Sequence, residues 1–202
     1  ERQDPAHFSL VNSAGIAYAG GPWETIDPNA LRRVFEVNFF GLVQLTRLML
    51  PVLRRTRGRV VMISSVAGSV ATPFLGPYCC SKFALEAFAA SLRRELRGSG
   101  VSITTVQPGS VATPMWDKFR ESVAAGVHPA YSDKFSRFLQ WIATAKTRGM
   151  PPSLVASVVK RALIARHPPE RIEMARGGRL GLRLQTLLSD SLQDRFVDDA
   201  LR

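Results

Sequence analysis

Tyr78 and Lys82 stand four positions apart in the run Tyr78-Cys79-Cys80-Ser81-Lys82. That spacing puts both side chains on one face of a helix. Ser65 precedes Tyr78 by thirteen residues, just after the apolar run Val60-Val61-Met62-Ile63. A strand end and a helix start that meet at one edge of a sheet would bring the three together. An ammonium roughly 5 Å from a phenol oxygen, at an effective dielectric of ~20, is worth about 3 kcal/mol. Such a neighbour lowers a tyrosine by about two pH units, towards neutrality. A phenol so tuned moves a proton to or from a carbonyl or alcohol oxygen. A serine hydroxyl can donate a hydrogen bond to that same oxygen. Alone, the Tyr-x-x-x-Lys spacing is a weak signal, and its setting decides its weight.

That setting reads as alternating strands and helices. Phe8-Ser9-Leu10-Val11 is a short apolar run closing at the turn Asn12-Ser13-Ala14-Gly15. Over 28–55, Leu31, Val34, Phe35, Leu42, Leu45, Met49 and Val52 recur at helical spacing, with Asp27 or Thr25 as cap. Pro51 kinks this helix or marks its last turn. Arg57-Gly58 turns the chain into a buried-type strand at 60–63. A loop at 68–77 leads to a second long helix, 78–97, with the stripe Leu85, Phe88, Ala89, Leu92 and Leu96. Its last turn holds Arg93, Arg94 and Arg97, where the helix dipole favours cations. Gly98-Ser99-Gly100 ends it, and a third strand, 101–106, stops before Pro108-Gly109. Apolar strands alternating with amphipathic helices predict a parallel sheet covered on both faces.

Residues 114–150 gather Met115, Trp116, Phe119, Tyr131, Phe135, Phe138, Trp141 and Ile142. This segment reads either as a packing flap or as a lid over a site at the carboxyl ends of the strands. A helix is predicted over 153–165 and a last strand over 170–174. Residues 180–188 read as amphipathic and basic, and the tail carries Asp190, Asp194, Asp198 and Asp199. One domain is expected over 1–202, with a core at 1–113, the flap or lid at 114–150 and a C-terminal part at 151–202.

The 202 residues are 46% hydrophobic and 21% charged, which excludes wholesale disorder, collagen-like repeats and coiled coil. No apolar run approaches the ~20 residues that span a bilayer. Glu1-Arg2-Gln3-Asp4-Pro5 has no apolar core behind its charges, so it does not read as a signal peptide. Cys79 and Cys80 are the two cysteines, and sequence neighbours rarely bridge each other. A reducing, cytoplasmic compartment is therefore expected. The net charge is +11, and 22 of the 27 basic residues are Arg. They occur as scattered pairs such as Arg32-Arg33 and Arg93-Arg94, with no long basic tract and no zinc-finger spacing. The expectation is a solvated surface with weak attraction for polyanions, no specific nucleic-acid binding and no metal site.

From residue 8 to about 116 the chain resembles the short-chain dehydrogenase/reductase family, at several places in the same order. Val11-Asn12-Ser13-Ala14-Gly15 is similar to its Asn-Asn-Ala-Gly motif, and Val37-Asn38-Phe39-Phe40-Gly41 to the helix bearing its active-site Asn. Ile63-Ser64-Ser65 is similar to the strand carrying the catalytic Ser, and Tyr78 to Lys82 to the Tyr-x-x-x-Lys. Pro108-Gly109-Ser110-Val111-Ala112-Thr113 is similar to the Pro-Gly segment beside the nicotinamide. The resemblance implies an oxidoreductase using NAD or NADP, which interconverts an alcohol and a ketone or aldehyde by hydride transfer. Tyr78 would be the general acid/base and Ser65 would polarise the substrate oxygen. Lys82 would lower the Tyr pKa, grip the nicotinamide ribose and feed a proton relay, whose water Asn38 would hold by distorting its helix. Pro108, Gly109, Val111 and Thr113 would hold the nicotinamide end, with Asn12, Ala14 and Gly15 along the adenosine side. A homodimer or homotetramer through helices 28–55 and 78–97 is implied as well. The aromatic segment adds a hint of a bulky apolar substrate, such as a steroid, a retinoid or an acyl chain.

The chain departs from the family pattern in two ways. Ser13 stands where the motif has its second Asn, a modest change because Ser also bonds local backbone. The family opens with a strand, a Gly-rich turn and further strands before the motif that here begins at Asn12. The expected fold is thus α/β, a Rossmann-like doubly wound parallel sheet truncated at its N-terminal half, its first strand an exposed apolar edge. Gly177-Gly178-Arg179-Leu180-Gly181 does not replace the Gly-rich turn, because position 176 is Arg and no second strand follows. The chain is expected to be part of a longer enzyme. The competing class is a truncated, inactive relative kept for protein association, and a third is a polyanion binder with a steep salt dependence.

Overall fold

The computed structural model describes residues 8–18, 20–123, 127–174 and 188–200. β1 (Ser9–Asn12), β2 (Arg59–Ile63), β3 (Ser102–Pro108) and β4 (Arg171–Met174) form one parallel sheet in the order of the chain. Val11 lies beside Val61, Val61 beside Thr104, and Pro108 beside Met174, so the strands end along a common edge. Among the described residues β1 pairs with β2 alone, and Val11 on it is 39% exposed, as the sequence predicts for this edge.

Asp27 caps α1 (Pro28–Phe35), its carboxylate accepting the Asn29 amide at 3.0 Å, with Pro28 at the position where a missing N–H costs nothing. The predicted helix 28–55 forms as one helical stretch to Thr56, widened at one place. A π turn at Glu36–Phe40 separates α1 from α2 (Gly41–Thr56), and Asn38 lies inside it. Pro51 neither ends α2 nor sits in its last turn. It lies on the exposed side, where water can satisfy the carbonyl that the proline leaves without an amide. α3 (Gly76–Glu95) starts two residues before Tyr78, with Pro77 in its first turn. α4 (Met115–Glu121), α5 (Ser132–Arg148) and α6 (Pro152–Ile164) follow β3, and α7 (Asp190–Ala200) forms the acidic tail. The glycine run at 177–181 and most of the basic stretch at 180–188 lie outside the described residues.

Strand alternation sorts the core into two faces. Val60, Met62 and Ile103 pack against Leu42 and Leu53 of α2 and Leu85, Ala89 and Leu92 of α3. Val61 and Val106 turn the other way, onto Val158 and Ala162 of α6. Since the strand order never reverses, this change of face gives the last crossover the opposite hand to the first two. A third cluster joins Phe119, Phe135, Phe138 and Ile142, all fully or nearly buried, to Leu75 and Tyr78. The aromatics of 114–150 therefore build a core of their own against the start of α3.

Candidate active site

Three strand ends and one helix start converge. Ser65 follows β2 and caps a short 3-10 turn at Val66–Gly68, its hydroxyl accepting the Ala67 amide at 3.1 Å. The same hydroxyl donates to the Pro108 carbonyl at 3.5 Å, tying it to the end of β3. Tyr78 sits in the first turn of α3, near enough to Ser65 for that side chain to favour its phenolate. Lys82 lies one turn on, where its ammonium donates to the Ile63 carbonyl at 2.9 Å and stands 5.6 Å from the centre of the Tyr78 ring. Ser65, Tyr78 and Lys82 line one cleft of about 1320 Å³ with Gly15, Pro108, Gly109, Val111 and Thr113. Met115 and Trp116 of α4, Trp141 of α5 and Val155 and Val159 of α6 supply much of its apolar wall. The segment 114–150 thus serves as packing and as cleft wall together.

The electrostatics differ from the expectation. Tyr78 is pushed up to about 12, because burial penalises the phenolate more than the Ser65 hydroxyl favours it. Lys82 is pulled down from 10.5 to about 8, again by burial, with Glu86 opposing. Burial thus works against the lowering of Tyr78 that a neighbouring ammonium would give.

Asn38 is fully buried, and its carboxamide clamps Ile16 from both sides. Its oxygen accepts the Ile16 amide at 2.7 Å, and its nitrogen donates to the Ile16 carbonyl at 2.9 Å and to Ser81 Oγ at 3.0 Å. Both amide hydrogens are therefore taken by protein, and the helix is distorted at Asn38 by the π turn that contains it. Asn12 does not join the cleft either, since its amide donates to Thr46 Oγ1 at 2.8 Å and ties β1 to α2. Ala14 is exposed and lies outside the cleft lining. Sequence reasoning passed over Ser81, which links Asn38 to the Tyr78 carbonyl by a 2.7 Å bond. Its signal was a polar residue on the buried side of a helix. It also passed over Glu86, a charge inside the apolar stripe of α3.

The family model described as short chain dehydrogenase matches residues 8–124. The chain belongs to the short chain dehydrogenase family. Among other members, human Retinol dehydrogenase 16 is 36% identical over 84% of this chain and 56% of its own length. Rat 17-beta-hydroxysteroid dehydrogenase type 6 is 34% identical over 95% of this chain and 63% of its own. The chain thus spans less than two thirds of the length of these curated relatives. A short chain dehydrogenase/reductase from Burkholderia phymatum, solved in complex with NAD, superposes with a TM-score of 0.71 at 26% identity, over 89% of this chain and 64% of that one. Parallel strands with helices on both faces are the fold this chain shares with that structure.

Proposed function

We propose that the protein interconverts an alcohol and a ketone or aldehyde, with NAD or NADP as its partner in hydride transfer. The observation that carries this reading is the convergence of Ser65, Tyr78 and Lys82 on one cleft. The residues present suit the nicotinamide-ribose end of such a cofactor. Among the described residues, the Ile63 carbonyl is the one acceptor found for the three ammonium protons of Lys82, leaving donors for a ribose diol. Gly15 keeps the space beside it open: a Cβ there would stand 3.6 Å from Lys82 Nζ and 3.7 Å from Asn38 Oδ1. Pro108, Gly109, Val111 and Thr113 would border the nicotinamide. When bound, the cofactor supplies or accepts the hydride.

The protein's own part is the proton. Ser65 would donate a hydrogen bond to the substrate oxygen, and Tyr78 would deliver a proton to it in the reductive direction. The raised pKa of Tyr78 supports that direction near neutral pH. The apolar wall of Trp116, Trp141, Val155 and Val159 suits a bulky apolar substrate, and relatives named for retinol and hydroxysteroids support the same class. Two free cysteines, one buried and one exposed, agree with a cytoplasmic setting, and no described helix is long and apolar enough to cross a membrane. Exposed Phe40, Leu45, Leu48 and Phe83 on the π turn, α2 and α3 support pairing of copies through these helices. In the full-length protein, Tyr78→Phe is expected to lower turnover of retinoid or steroid ketones and aldehydes by roughly 10²–10⁴-fold. Turnover equal to the parent's would overturn the mechanism.

A further inference from the structure

Glu86 lies one helical turn beyond Lys82, in the buried stripe of α3 with Leu85, Ala89 and Leu92, and is only 7% exposed. Its Oε2 accepts from Thr105 Oγ1 of β3 at 3.2 Å and from the Arg171 guanidinium of β4 at 3.1 Å. Its Oε1 is buried with no hydrogen-bond partner among the described residues. Gly68 closes the same turn from above. A Cβ on it would stand 3.0 Å from the Lys82 carbonyl and 3.1 Å from Glu86 Cγ, so backbone seals the stretch between the two side chains.

A tie between α3 and the sheet does not explain this arrangement. Thr105 is neutral, and the Arg171 side chain is 42% exposed, so an amide on α3 would bind both without the cost of burying a charge with an orphaned oxygen. What a carboxylate adds is negative charge one helical turn from a buried lysine, on the same face of α3. We propose that Glu86 is a positioning residue for the cleft: clamped by Thr105 and Arg171, its carboxylate holds Lys82 as a cation beside Tyr78. The proposal rests on the roles given above to Tyr78 and Lys82.

Among the described residues two acids lie against this side of the sheet, Glu86 and, two residues beyond Arg171 on β4, half-buried Glu173. Around Lys82 itself stand Tyr78 on α3, the Ile63 carbonyl after β2, and Gly15 in the preceding segment, with Glu86 one turn further along α3. Arg171 of β4 lies behind Glu86 and carries the same sign as Lys82. Arg33, Lys118, Glu121 and Lys160 around the cleft are all exposed, so water and salt screen them. Glu86 is the buried anion of the set, and it is the charge that opposes the downward pull of burial on Lys82.

The test is direct titration of the Lys82 ammonium by NMR in the full-length protein, the signal assigned by its loss in Lys82→Met. Glu86→Gln is expected to move the midpoint down by about one to two pH units. Arg171→Gln is expected to move it up, because a like charge leaves. An unchanged midpoint in Glu86→Gln, or a fall in both variants as loosened packing would give, overturns the proposal. Should circular dichroism show Glu86→Gln unfolded, Glu86→Asp decides: drawing the carboxylate back by one methylene is expected to lower the midpoint, and no change or a rise overturns the proposal. The titration needs no turnover. A shifted midpoint in a protein without oxidoreductase activity would leave this inference standing and the functional reading fallen, and the reverse pattern would do the opposite.

Discussion

Lys82 is 3% exposed and Tyr78 9%, so each contributes to stability in its own pH window. Lys82 titrates near 8 when folded, against its ordinary 10.5. Below pH 8 both states are charged, and the folded state carries the full cost of a buried ammonium. Between about 8 and 10.5 the unfolded chain holds a proton that the folded one has released, so stability rises with pH there. Tyr78, raised from 10.0 to about 12, has the opposite sign: its contribution is complete below pH 10 and is lost as pH climbs to 12. Lys82→Met is therefore expected to be more stable than the parent below pH 8, by about 3 kcal/mol, with the advantage fading by pH 10.5. Urea midpoints differing equally at pH 7 and pH 10.5 would remove the burial cost from Lys82. Asn38→Ala strips both hydrogen bonds from the Ile16 backbone and should cost about 1–3 kcal/mol, read in the same denaturations. The Tyr and Lys were legible from spacing. The effect of burial on both was not, because it depends on how the chain packs around them.

At the scale of elements, two glycines carry the same geometric warning and predict different outcomes. A Cβ on Gly20 would stand 2.0 Å from the Phe119 ring, and one on Gly76 would stand 2.3 Å from Trp23. Phe119 is fully buried and locked among Phe138 and Trp116, whereas Trp23 is 58% exposed and free to swing outward. Gly20→Ala should cost about 1–3 kcal/mol. Gly76→Ala should cost much less and change Trp fluorescence, since the indole leaves its seat at the start of α3. Thermal melting of both variants checks the contrast, and equal losses would refute it. The strands and long helices were legible because Val60, Met62, Leu85, Ala89 and Leu92 keep the periods of sheet and helix. The π turn at Glu36–Phe40 was legible only through the resemblance that puts a helix distortion at Asn38, since widening one turn alters no residue type. The aromatics of α4 and α5 resisted a single assignment because Phe119 and Phe138 pack inward while Trp116 and Trp141 face the cleft.

For the whole molecule, the apolar residues outside the core decide what it meets. Leu48 is 63% exposed, Phe40 50% and Leu45 44%, and all belong to the helical stretch that the family resemblance marks for self-association. A double substitution, Leu48→Glu with Phe83→Glu, is expected to lower the mass of the full-length protein in light scattering to that of one chain. A mass unchanged by the pair would place any interface elsewhere. The sheet's open edge at β1 was foreseen from where Asn12 falls relative to the family motif. The face change at α6 was not, because Val158 and Ala162 suit either side of a sheet.

The strand order has a consequence for how the molecule is made. Each strand lies beside the one that precedes it in the chain. A polypeptide emerging from the ribosome can seat β2 on β1, β3 on β2 and β4 on β3 without reopening anything already in place, each addition closing only its own crossover. Ser65, Tyr78, Lys82 and Pro108 all arrive by the time β3 has joined. Nascent chains stalled after α5, whose aromatics cover Tyr78, should already protect this neighbourhood from protease, before α6 and β4 exist.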